Sequence, residues 1–139
     1  MIQRIQTVWL FLAALCAAFT FQFAFYSGNV TEADNKIVYK QLVASSDFLL
    51  LIFTAGLIAG CIILIFLYKT RRQQFWITIV AAGLSIINLI IYFSKIKKFI
   101  NGTMSLGAVL AFFIPVFLLL ATRGIWKDEK LVKSLDRLR

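Results

Sequence analysis

The chain has no histidine, a single proline, two cysteines and only 6 acidic residues, against 15 lysines and arginines, in 139 residues. Without histidine there is no bis-His haem, no His-based zinc site and no ordinary imidazole general base. Cys16 and Cys61 stand alone, in no C-x-x-C arrangement, so paired-cysteine disulfide exchange is not available to it. Both read as small apolar packing residues. The most telling gap is in the charge map. Residues 7–26, 48–68, 75–93 and 104–122 contain no Asp, Glu, Lys or Arg. Membrane-embedded carboxylates are what proton relays and coupling-ion sites are built from, so a small transporter or channel is disfavoured.

Those four stretches are also what the chain does have. Each is close to the about 20 residues with which a helix crosses a ~30 Å hydrocarbon core, and each is apolar all round rather than on one face. The expected fold is therefore all-α: an integral membrane protein, an antiparallel four-transmembrane-helix bundle forming one domain over residues 1–139. An extracytoplasmic loop at 27–46 and a short amphipathic cytoplasmic helix at 123–139 complete it. The first stretch runs on through Phe19, Phe21, Phe23 and Phe25, past the ~7–15-residue apolar core of a secretory signal. Bulky Leu15 precedes Cys16 where a lipoprotein cleavage site needs a small residue, so a retained helix is expected.

Orientation follows the basic residues at the span ends. Arg4, Lys69, Arg71, Arg72 and the cationic tail fall on one side, the smaller set Lys36, Lys40, Lys95, Lys97 and Lys98 on the other. This places both termini in the cytoplasm, with Trp9, Trp76 and Trp126 as interfacial anchors. The net charge of +9 then reflects topology and contact with the lipid bilayer, and no nucleic-acid partner is expected. The connection at 69–74 is short enough to make spans two and three antiparallel neighbours. In the loop 27–46, Ile37-Val38-Tyr39 fits a strand, an interfacial helical turn or irregular chain. Ser45, Ser46 and Asp47 are expected to cap span two.

Two features inside the spans invite helix packing. Gly56-Leu-Ile-Ala-Gly60 is a small-xxx-small motif that lets another backbone approach closely. It reads first as packing within the chain and second as a homodimer or partner surface. Similar pairs occur at Ala13/Ala17, Ala14/Ala18, Ala81/Ser85 and Gly107/Ala111. Ser85 and Asn88 share one face of span three. An amide in hydrocarbon needs a hydrogen-bond partner, and Gln22 and Thr54 are the candidates. Pro115 should kink span four. Asn29-Val-Thr31 and Asn101-Gly-Thr103 match the N-glycosylation pattern on the expected outer side.

The tail 123–139 is charge-dense yet patterned, with Leu131, Leu135 and Leu138 at helical spacing. It reads as a stop-transfer anchor lying on the inner leaflet or as a docking helix. The opening Met1-Ile-Gln-Arg-Ile-Gln-Thr-Val-Trp-Leu10, with Lys127-Asp128-Glu129 and Ser134-Leu-Asp136-Arg137, resembles a Bacteroidota family of small four-helix membrane proteins catalogued as domain of unknown function 4293. The resemblance implies a bacterial inner-membrane location and supplies no activity or ligand. With both ends on one side, Gln3, Arg4 or Gln6 is positioned to meet Asp128, Glu129 or Asp136. Arg4, Lys127, Asp128, Glu129, Asp136 and Arg137 are thus the candidate contacts with a cytoplasmic partner or lipid, beside Gly56, Gly60, Ser85 and Asn88 for helix packing.

No catalytic residue, metal ligand or cofactor site is expected, and the chain does not read as an enzyme. The leading expectation is an accessory, assembly or scaffold subunit of a membrane complex, with a membrane-protein partner or as a homo-oligomer. The alternative is a protein that holds an apolar ligand, a lipid or a quinone, among its Phe-rich helices. A Phe-lined pocket ending at Asn88 or Gln22 would favour the ligand, and a filled core with an open small-residue groove would favour the partner.

Overall fold

An apolar segment in hydrocarbon must satisfy its backbone polar groups internally, and a helix does this residue by residue. The computed structural model, which describes residues 3–31, 36–67 and 70–136, contains four helices: α1 (Gln3–Phe19), α2 (Phe48–Phe66), α3 (Arg71–Ile96) and α4 (Leu106–Asp136). Helices α2, α3 and α4 are long and apolar enough to cross a membrane, which marks the chain as a membrane protein. Helix α1 is apolar but has 17 residues, or ~26 Å at the α-helical rise.

Three expectations are corrected. The first span does not reach residue 26. Helix α1 stops at Phe19, where the Thr20 hydroxyl donates to the Ala17 carbonyl at 2.7 Å. Phe21 and Gln22 then bond back three residues instead of four, tightening the chain into a turn. The turn takes up residues 20–23, and the chain joins the sheet only after it, where Phe25 N–H bonds the Leu42 carbonyl.

The fold is also not all-α. Strands β1 (Tyr26–Thr31), β2 (Ile37–Leu42) and β3 (Asn101–Met104) form an antiparallel sheet in the order β2-β1-β3. It ties the first connection to the third, giving both loops backbone partners that neither has alone. Gly28 and Gly102 face each other across β1 and β3, and a Cβ on Gly28 would overlap the Asn101 carbonyl. Asn29 and Asn101 are a paired position in this sheet.

Lastly, the tail is not a separate helix. Helix α4 runs for 31 residues, through Pro115, or ~46 Å, about 15 Å more than a hydrocarbon core. Gly124 is the weakest helix former of the tail segment, and one glycine costs only about 1 kcal/mol relative to Ala.

The helices pack as a ring, α1 on α2, α2 on α3, α3 on α4 and α4 on α1. The α1–α4 interface is closed at one end by Gly107, whose missing Cβ leaves room for the Phe23 and Ala24 carbonyls. Near the other end Gln6 lies over Gly124. Helices α2 and α3 are likewise antiparallel, since Asp47 pairs with Lys95 at one end and Gln74 Nε2 donates to the Leu64 carbonyl at the other. The sheet therefore caps one end of the ring, and the start of α1, the end of α2, the start of α3 and the C-terminal part of α4 lie at the opposite end.

The interior is built from small side chains. Ala13, Ala17, Ala81, Ala82 and Ala121 are buried with Leu10, Leu57 and Leu118. Nearer the sheet, Phe25 stacks on Tyr92 at 4.4 Å between ring centroids. The large apolar side chains point outward instead, Phe48 and Phe66 being 75% and 74% exposed. In water a continuous apolar surface would be an aggregation liability. In lipid it costs nothing, and small residues inside let backbones meet.

Candidate functional site

The small-residue pairs do not all do the same thing. Ala13/Ala17, Ala81/Ser85 and Gly107/Ala111 are buried, and close the ring. Ala14 is half-buried and Ala18 exposed. Gly56 and Gly60 face away from the ring, and a Cβ at either would meet nothing within 4 Å. Among the described residues no other helix lies within 4 Å of a Cβ at either glycine of this motif, whereas internal packing is the first reading of the sequence. Ile52, Ala59 and Ile63 share that exposed face, giving a shallow apolar groove on α2 at mid-helix.

Helix α3 directs its polar residues inward. Gln74, Thr78, Ala81, Ser85, Asn88 and Tyr92 are all buried and follow one another at alternating steps of four and three, the seam of a helix packed against neighbours on both sides. Thr78 and Ser85 spend their hydroxyls on the Gln74 and Ala82 carbonyls. Ser85 and Asn88 therefore share a face without bonding each other. Asn88 Nδ2 donates to Thr54 Oγ1 at 3.2 Å, and Gln22, the other candidate, is exposed. Thr54 is 0% and Asn88 3% exposed. The Tyr92 hydroxyl lies beside the hydroxyls of Thr20 and Thr54 but makes no hydrogen bond of good geometry, and Asn88 Oδ1 is likewise unpartnered. Asn88 is not among the residues that line the depressions at Arg123–Leu131, at the sheet and at Arg72–Ile77.

The chain ends meet through a clasp. Gln6 Nε2 donates to Asp128 Oδ2 at 2.6 Å across 122 residues of sequence, and both side chains are buried. Position 124 is one turn before Asp128, and a Cβ there would lie 3.0 Å from Gln6 Cγ. Gly124 thus gives Gln6 the space to reach the carboxylate. A hydrogen bond to a charged group contributes about 1.5–3 kcal/mol net, so this contact fixes the register of α1 on α4. Lys127 is exposed and Glu129 half-buried. Arg137 lies outside the described residues, as do the side chains of Arg4 and Asp136.

The turn before α2 also differs from expectation. Asp47 is the N-cap position but makes no capping bond from its side chain, pairing with Lys95 instead. Ser46 closes the β2–α2 turn, accepting from Val43 N–H and donating to the Gln41 carbonyl. Among the described residues no three His, Cys, Asp or Glu side chains gather as a metal site. The residues that sequence reasoning missed are Gln74, Tyr92 and Gly124. The four-three spacing of α3 was the signal for the first two, and nothing local marks the third.

A family model described as Domain of unknown function (DUF4293) matches residues 2–138. No curated protein and no solved structure matches the chain.

Proposed function

The chain belongs to the DUF4293 family, and from that premise we propose that it serves as a non-enzymatic accessory, assembly or scaffold subunit of a membrane complex. In this reading all four helices form an antiparallel bundle in a bacterial inner membrane, with both termini cytoplasmic. The observation that carries it is the open groove at Gly56 and Gly60, beside a ring whose other small residues are largely used up in internal packing. Glycine in mid-helix weakens a helix by roughly 0.5–1 kcal/mol relative to Ala. Two of them one turn apart are compensated when a second backbone closes on them. The apolar-ligand alternative draws less support, because Asn88 is bonded to Thr54 and shut off from the surface.

The test is co-purification in mild detergent of the wild-type chain and a Gly56→Ile/Gly60→Ile variant. The wild type is expected to elute in an assembly larger than one chain, as a homo-oligomer or with a membrane-protein partner. The variant is expected to elute alone with unchanged helix content, since a Cβ at either position meets nothing within 4 Å. A wild type that elutes alone, or a variant that keeps its partner, contradicts the proposal.

A further inference from the structure

The clasp turns one face of α4 toward α1 and leaves the opposite face unused. Ile125 and Asp128 are buried on the α1 side, whereas Arg123, Trp126, Lys127, Lys130 and Leu131 line a shallow depression of about 470 Å³. It begins one residue past the last charge-free position of the span, at Thr122, which is the depth of lipid head groups. From Arg123 to Lys130 the helix rises ~10 Å, so three cations climb through the interfacial layer on one face. Lys130 Nζ lies over the Trp126 ring at 5.8 Å, a cation–π contact that holds both side chains at the rim. Of the two carboxylates in this stretch, Asp128 is turned away and held by Gln6, and Glu129 is half-buried and is not among the residues that line the depression.

We propose that this depression is a binding site for the head group of an anionic phospholipid. The phosphate sits among Arg123, Lys127 and Lys130. Trp126, an amphipathic ring suited to the interface, and Leu131 receive the glycerol and upper acyl chain. A second depression at the same end of the molecule, lined by Arg72, Gln73, Trp76 and Ile77, repeats the cation–tryptophan pairing with one described cation. It serves as an internal comparison. The site depends on the spans lying in a membrane but not on anything docking at the α2 groove. Vesicles of pure lipid therefore test it independently of the proposed subunit role.

The full-length chain with Trp9→Phe and Trp76→Phe keeps Trp126 as its one tryptophan. It is reconstituted in phosphatidylcholine vesicles containing a minor fraction of phosphatidylglycerol with brominated acyl chains, and Trp126 quenching is compared with that by brominated phosphatidylcholine. Each interfacial cation contributes about fivefold, so the preference for the anionic lipid is on the order of 100-fold. Lys127→Gln/Lys130→Gln lowers it to roughly fivefold, while Arg72→Gln leaves it in place and circular dichroism shows an intact helix content in each. A preference unchanged in the double variant, or an equal fall in Arg72→Gln, overturns the site. Inorganic phosphate added at constant ionic strength leaves the quenching in place. Its loss on addition of phosphate identifies a free-anion site and overturns the lipid assignment.

Discussion

Replacing Gln6 by Ala removes a buried side-chain link between α1 and the C-terminal part of α4 and leaves the Asp128 carboxylate buried without that partner. The hydrogen bond is short, 2.6 Å, and joins an amide to a charged acceptor, so its net contribution is about 1.5–3 kcal/mol. Gln6→Ala should cost somewhat more, because the unpaired acceptor keeps its desolvation penalty. The clean quantity is the coupling in a cycle of Gln6→Ala, Asp128→Ala and the double variant, expected at about 1.5–3 kcal/mol. Gly124→Ala supplies a check of sign. The new Cβ presses on Gln6 Cγ at 3.0 Å, which the clasp holds in place, so in the wild type the gain in helix propensity is offset. In the Gln6→Ala background nothing opposes it, and Gly124→Ala should stabilise by roughly 0.5–1 kcal/mol. Reversible unfolding in mixed micelles reads all of these. A coupling below about 0.5 kcal/mol, the limit of additivity for independent sites, refutes a register fixed by this contact.

Further expectations concern the helix seams. Thr54→Val strands the Asn88 amide in the interior and should cost about 1–3 kcal/mol, whereas Asn88→Leu removes the buried polar group altogether and should cost less or nothing; the order of the two in an unfolding titration decides it. Gly107→Ala drives a Cβ into the Phe23 and Ala24 carbonyls, which are backbone and cannot yield, so a loss of about 1–3 kcal/mol is expected. Gly56→Ala, in contrast, should leave the isolated chain as stable or up to about 1 kcal/mol more so, measured by the same titration in detergent. The Asp47–Lys95 pair is partly exposed, and Lys95→Met should change stability by no more than about 1 kcal/mol, with no remaining effect at high salt.

How far each element was legible follows from where its information resides. Helices α2, α3 and α4 were readable because a charge-free run is a local signal, and their observed ends lie within a turn of that signal except where α4 continues. The end of α1 was misread because Phe21, Phe23 and Phe25 keep the hydropathy high through a turn and into the start of the sheet, so the apolar run outlasts the helix. Strand β3 was invisible: Asn101-Gly-Thr-Met104 has no strand character of its own, and its partner β1 is supplied about 70 residues earlier. The tail's continuity with α4 was hidden because the charge-free run ends at Thr122 while the helix itself goes on.

For the candidate site, the motif Gly56–Gly60 was plain but its direction was not. Thr54, buried and bonded to Asn88, marks the ring side of α2, but one threonine in an otherwise apolar helix is a weak signal. Asn88 and Thr54 were matched by depth along antiparallel spans, which topology alone fixes. The meeting of Gln6 with Asp128 required only that an even number of antiparallel helices return the chain to one end of the ring. The choice of Gln6 over its neighbours depends on the space above Gly124, a tertiary fact.

In the native membrane the Gly56–Gly60 face of α2 should be covered by another helix. The direct measurement is photo-crosslinking in intact membranes from a benzophenone side chain placed at Ala59, on that face, and at Ile90, an exposed position of α3. Adducts to a second polypeptide from position 59, with lipid adducts alone from position 90, are the predicted result. Lipid adducts alone from both positions would contradict the claim.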